Sequence, residues 1–196
     1  KNIRLLNGKP LIHYAIEAAA GAQKLNGFIL STDSASIKKI AEDAGATVPF
    51  LRPDIFSKDS STMAGVIDHA LEWFESNYHQ TVDYIVLLQP TTPFRESKDI
   101  DEAIGHILNS NNANSLISCY DASNVHPSIM YEFKGEKLQL YDQSSKMMCR
   151  QKFKPVYVRN GCIYIVKREY YQKEHRLVCD SPIGYKMSRS KSLNID

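Results

Sequence analysis

Apolar positions along the first 120 residues switch repeatedly between two periods. Ile12, Ala15, Ile16 and Ala19 recur at helical spacing behind Pro10, whose fixed φ suits a first turn, and Gly21 is the stop. Phe28-Ile29-Leu30 is a short buried-type strand. Ser34 caps a second helix carrying Ile37, Ile40, Ala41 and Ala44, and Gly45 ends it. Thr47 to Phe50 is extended again. Residues 51 to 60 are polar, contain Pro53 and form a loop. Ala64, Ile67, Leu71 and Phe74 mark a third helix, with Ser60 or Ser61 as its natural cap. Tyr84 to Leu88 is continuous and apolar, as a strand covered on both faces should be. A fourth helix carries Ile100, Ala103, Ile104, Ile107 and Leu108, with Thr92 or Ser97 in position to cap it. Ser115 to Cys119 returns as a strand.

Strands alternating with helices predict a three-layer α/β fold with a mainly parallel sheet. After Tyr120 the rhythm changes. Residues 121–155 contain short strand-like pieces around Lys134-Gly135, then a polar stretch with Arg150 and Lys152. They read as a small excursion from a single domain spanning residues 1–196, suited to a dimerisation arm. Val156–Arg159 and Cys162–Val166 resume strand character on either side of Asn160-Gly161, a dipeptide that favours a hairpin turn or a break aimed into a cleft.

Composition narrows the functional classes. Lys and Arg total 24 against 22 Asp and Glu, without long runs of one sign, so neither nucleic acid nor a membrane surface is the expected partner. No apolar run approaches the ~20 residues that a spanning helix needs. Cys119, Cys149, Cys162 and Cys179 are widely spaced, as reduced thiols of a cytoplasmic protein would be.

Ligands of open α/β sheets bind beyond the carboxyl ends of the strands, which directs attention to the segments that follow them. Gln89-Pro90-Thr91-Thr92-Pro93-Phe94-Arg95 offers an amide, hydroxyls and a guanidinium on a backbone stiffened by two prolines. That chemistry suits a polyhydroxylated ligand, with Gln89 and Thr91 as candidate contacts. Arg52, Ser61 and Thr62 stand beside a helix N-terminus, where N–H groups and the dipole favour phosphate. Simple helix capping is an equally good account of the two hydroxyls. Asn194 and Asp196 share one face of an extended terminal segment, and their two oxygen donors suit Mg²⁺.

Several stretches resemble the CMP-sialic acid synthetase (acylneuraminate cytidylyltransferase) family. They are Lys1-Asn2-Ile3-Arg4, Ile29-Leu30-Ser31-Thr32-Asp33, Leu51-Arg52-Pro53, Leu87 to Arg95, Val156 to Ile165, and Ser192 to Asp196, in family order across the whole chain. The resemblance implies a Rossmann-like nucleotidyltransferase fold with a small dimerisation lobe. It implies that Lys1, Asn2, Arg52 and Thr62 hold CTP, that Gln89, Arg159, Asn160 and Gly161 approach an acidic nine-carbon sugar, and that Asp196 helps bind Mg²⁺. Similar enzymes are dimers whose sugar site is completed by the partner's lobe. The implied reaction transfers CMP to the sugar and releases pyrophosphate, with Asp196 and Arg52 carrying the catalytic charge. Another 2-keto-3-deoxy sugar acid as acceptor, or a catalytically silent nucleotide-binding relative, are the alternatives.

Three departures qualify this implication. The family's opening strand and phosphate loop precede Lys1-Asn2. Asn194 stands where the family usually has an Asp. Val158-Arg159-Asn160-Gly161 replaces the Arg-Pro-Asn-Gly of sialic-acid enzymes, which points to a related sugar acid such as legionaminic or pseudaminic acid.

Overall fold

Residues 1–58, 60–110, 112–142 and 154–195 are described in a computed structural model. Arg150, Lys152 and Asp196 lie outside the described residues.

The chain opens with a tight hairpin, β1 (Leu5–Leu6) and β2 (Lys9–Pro10), around Asn7-Gly8. Both turn residues have positive φ, 51° and 78°, which is the conformation a two-residue hairpin loop needs. Helix α1 (Leu11–Ala20) follows, with Pro10 as its cap residue and Gly21 at its end. Helix α2 (Ala35–Asp43) is capped as predicted, Ser34 Oγ accepting from Ile37 N at 3.4 Å. Between these helices and after them, residues 28–32 and 47–51 run side by side. Leu30 N donates to Thr47 O at 2.9 Å, and Thr32 bridges Leu51 in parallel.

Helix α3 (Met63–Tyr78) is capped by Thr62, whose Oγ1 accepts from Gly65 N at 3.2 Å, rather than by Ser60 or Ser61. Ser61 instead folds back into its own loop, accepting from Lys58 N and donating to Ile55 O. Helix α4 (Ser97–Leu108) is capped by Glu96 in a reciprocal pair with Asp99, so neither Thr92 nor Ser97 does that work.

Strands β3 (Tyr84–Leu87), β4 (Ser115–Asp121), β7 (Tyr157–Lys167) and β8 (Ile183–Lys186) form the main sheet in the order β3-β7-β4-β8. β4 and β8 pair in parallel, and β7 runs against both β3 and β4. Three of the four strands thus share one direction, and the sheet is mixed because β7 is inserted between them. Helix α5 (Arg168–Glu174) links β7 to β8 and was not predicted.

Both faces of β7 are covered. Ile163 and Ile165, with no exposed surface, pack with Ile100, Ala103 and Ile107 of α4. Val166 points the other way, to Ile67 of α3 and Tyr171 of α5. Each such side chain contributes about 1.5–3 kcal/mol on leaving water. Tyr171 pins α5 to α3 by donating to Ala64 O and to Asp68 Oδ1, and Arg168 pairs with Glu75.

The 121–155 excursion includes a hairpin of β5 (Tyr131–Lys134) and β6 (Lys137–Leu140). The hairpin pairs with no other described strand. Tyr131, Phe133 and Leu138 are 56%, 77% and 57% exposed, and Phe133 stands opposite Leu138.

Candidate functional site

Asn160-Gly161 is not a hairpin turn, because β7 runs through it. The partners of β4 jump from Tyr164, opposite Ile117, to Arg159, opposite Cys119. Extra residues on β7 bulge out between them, with Gly161 at φ 76°. A bulge re-aims side chains next to functional sites, and here it sorts three neighbours into three roles. Arg159 is exposed and lines a cleft. Asn160 is 7% exposed and turned inward. Its Oδ1 accepts from Ser118 Oγ at 2.6 Å and Cys162 N at 3.1 Å, while its Nδ2 donates to Ser192 Oγ at 2.8 Å. Asn160 therefore holds the bulge together from behind, and its amide is taken up by these internal hydrogen bonds. Gly161 permits close approach, since a Cβ there would lie 2.9 Å from Gln89 Oε1.

The Gln89–Arg95 loop is held by its own arginine. Arg95 is 3% exposed and donates to Thr92 Oγ1 at 3.0 Å, Cys162 O at 2.6 Å and Gln89 O at 2.8 Å. Sequence reading offered this guanidinium to a ligand. The structure makes it the internal strut that ties the loop to β7. Burial lowers its pKa to about 10, partly opposed by Cys162 and Asp99, so it stays protonated at neutral pH. The Thr91 carbonyl accepts from Ile195 N at 2.8 Å, which brings the chain next to Asn194 up to the same loop.

These supports frame a cleft of about 330 Å³ lined by Met63, Leu87, Gln89, Arg159, Tyr164, Arg176, Leu177 and Val178. It sits where β3 ends and α3 begins. Among the described residues its lining carries two guanidinium groups, an amide, a phenol and an apolar wall, and no carboxylate. A second hollow of about 360 Å³, between α1 and the 93–97 loop, carries Glu17 and Glu96 and is ill suited to an anion.

Arg52 stands at the end of the paired 28–32 and 47–51 segments. Its Nε donates to Ser57 Oγ at 3.1 Å, and its Nη2 meets Asp33 at 3.3 Å. Phe56 of that loop packs on the first turn of α3, within 3.1 Å of where a Gly65 Cβ would sit. The loop thus leads to Ser61 and Thr62, directly before Met63 in the cleft wall. Lys1 and Asn2 do not line the cleft. Asn2 O accepts from Ile12 N at 2.9 Å at the entry to α1, and Lys1 O accepts from Arg4 N at 3.0 Å in the turn before it.

Of the predicted residues, Gln89 and Arg159 line the cleft, Gly161 lies against Gln89, and Ser61 and Thr62 directly precede Met63 of its wall. Tyr164, Arg176, Leu177 and Val178 were not foreseen. Tyr164 lay in plain view as every second residue of β7; the other three depend on α5. Replacement of Gly161 by Ala is expected to cost ~1–2 kcal/mol through its left-handed φ and to turn the Gln89 side chain away. Urea unfolding and a structure of the variant check this.

A sheet covered on both faces, polar loops at strand ends and a helix N-terminus beside a cationic cleft make this a nucleotidyltransferase-type α/β domain. The fold matches that of CMP:2-keto-3-deoxy-manno-octonic acid synthetase complexed with CTP, with a TM-score of 0.66 at 14% identity, over 96% of this chain and 83% of that one. A cytidylyltransferase family model matches residues 1–191, and the chain belongs to that family. It is 30% identical over 199 residues to the N-acylneuraminate cytidylyltransferase of Streptococcus agalactiae serotype V, covering 100% of this chain and 46% of that protein. It is 33% identical over 169 residues to the CMP-N,N'-diacetyllegionaminic acid synthase of Legionella pneumophila, covering 84% of this chain and 70% of that protein. The chain therefore spans about half the length of the N-acylneuraminate relatives it matches.

Proposed function

We propose that this domain transfers CMP from CTP to a sialic-acid-type nonulosonic acid and releases pyrophosphate. The observation that carries this reading is the cleft, whose lining among the described residues holds two arginines and suits an acidic sugar. Its volume lies at the small end of the roughly 300–1,000 Å³ typical of ligand sites, room for a sugar with the nucleotide alongside. The names of the relatives support both substrates.

In this reading the anomeric hydroxyl forms a bond to the α-phosphorus of CTP as the bond to pyrophosphate breaks. No nucleophilic side chain is required. Arg52 holds the phosphates with a planar donor fork, beside the N–H groups at the start of α3, where Ser61 and Thr62 stand. Lys1 and Asn2 complete the nucleotide side. Gln89 reads sugar hydroxyls, Thr91 fixes the loop, and Arg159 faces the carboxylate. Asn160 and Gly161 set the positions of Arg159 and Gln89.

The donors that would hold Mg²⁺ are the amide oxygen of Asn194 and the carboxylate of Asp196, a hard-oxygen set, and the Ile195–Thr91 hydrogen bond brings the neighbour of Asn194 to the Gln89 loop. Bound there, Mg²⁺ would offset charge on the phosphates. Among the described residues, no helix is long and apolar enough to cross a membrane. The free thiols Cys119, Cys162 and Cys179 support a cytoplasmic site of action.

The test is pyrophosphate release by the full-length protein with CTP, ATP, GTP and UTP against a panel of sugar acids. Turnover confined to CTP with a nonulosonic acid is expected. Preference for an eight-carbon acid would move the assignment to a related transferase, and tight CTP binding without turnover would mark a silent relative.

The β5–β6 hairpin is read as the dimer contact. A lone two-stranded ribbon is marginal in water, and its apolar face calls for cover by a second copy. Phe133→Asp is expected to convert a dimer to a monomer in sedimentation velocity. Because Phe133 is 77% exposed, the fold itself should keep its melting temperature. A variant that still sediments as a dimer would place the contact elsewhere.

A further inference from the structure

We infer that Arg176 is a second carboxylate-recognising residue of the sugar site, and that Asp180 holds its place until substrate arrives. This rests on the reading of the cleft as a sugar-acid site.

Arg176 is not carried by any strand of the sheet. It follows α5, and α5 is fixed to α3 through Tyr171 and Arg168. His175 ends that helix in the left-handed conformation, φ 48°, with its N–H donating to Tyr171 O at 2.8 Å. The sharp stop ends the helix there, and Arg176, Leu177 and Val178 join Gln89 and Arg159 in lining the cleft.

The present partner of Arg176 is weakly placed. Asp180 Oδ1 accepts from its Nη2 at 2.7 Å, but the two side chains are 51% and 86% exposed. Exposed pairs of this kind add little, since water screens them and both side chains lose freedom. A substrate carboxylate held against Leu87 and Leu177 would face less water, and charge attraction there is stronger. In such an exchange of one carboxylate for the other the guanidinium never stands unpaired. Two planar donor forks on one carboxylate also fix its orientation more closely than one. Among the described residues, no hydrogen bond or ion pair engages the Arg159 guanidinium, so it adds an uncommitted fork to this arrangement.

The experiment uses the full-length protein and the sugar acid that the wild type turns over fastest. Arg176→Met should raise the KM for that sugar acid about 10–100-fold, the scale of one lost charged hydrogen-bonding partner, with KM for CTP and the melting temperature unchanged. Arg176→Lys should recover only part of the loss. Asp180→Asn should lower the KM, because the competing anion is gone. The carboxamide analogue of the sugar acid should bind wild type and Arg176→Met equally in calorimetry. If wild type turns over but Arg176→Met keeps its sugar KM, the inference fails while the proposed function stands. A raised KM for CTP alone would assign Arg176 to the phosphates and overturn it. A wild type silent with every acid removes the function and the inference together.

Discussion

Arg95→Met is expected to lower the unfolding free energy by about 3–5 kcal/mol, because several hydrogen bonds from a buried cation, each worth about 1.5–3 kcal/mol, are lost together. Methionine fills much of the same volume, so the loss is chiefly polar. The carbonyls of Gln89 and Cys162 and the hydroxyl of Thr92 would lose their shared donor, and the bonds to Cys162 and Thr92 are buried. The same change frees the Gln89 loop from β7, so affinity for the sugar should fall with stability. Urea unfolding with an unchanged m-value is the measurement. A loss under about 1 kcal/mol, the worth of a single ordinary hydrogen bond, would show that the strut is dispensable.

The second large effect is expected at Arg52. In the proposed reaction its replacement by Ala should cut kcat/KM for CTP ~10²–10³-fold, the scale of removing one preorganised donor from developing charge. Stability should change little, because the pair with Asp33 is partly exposed and contributes ~0–1 kcal/mol. Arg52→Lys should not restore the rate, since a point charge cannot reproduce a planar fork. A deficit smaller than threefold would remove Arg52 from the nucleotide site.

The helices of the first half were legible because each has both an apolar stripe and a chemical start or stop. Ser34 and Gly45 bracket α2 as propensity demands. Caps were less legible where several hydroxyls compete: Ser60, Ser61 and Thr62 look equivalent until the loop folds, and only then does Ser61 spend its hydroxyl on Lys58 and Ile55. Two Asn-Gly pairs mark the limit of local signals. Asn7-Gly8 makes the tight hairpin, whereas Asn160-Gly161 lies within β7, because pairing with β3 and β4 overrides the local turn preference. Helix α5 went unseen because Arg168–Glu174 is short and mostly charged, and it buries only Tyr171. Without α5 there was no way to place Arg176, Leu177 and Val178 beside Gln89, 87 or more positions earlier. That Gln89 and Arg159 belong together was implied by family resemblance, since spacing carries no such information; the structure places both in the lining of one cleft.

The strand order has a further consequence for synthesis. β3 and β4 leave the ribosome well before β7, yet each needs β7 beside it. Until residue 167 emerges, both present a bare backbone edge, open to chance pairing with other nascent chains. Folding of this domain should therefore be late and abrupt, triggered by one strand closing two gaps at once, and its yield in the cell should depend on what shelters those edges while they wait.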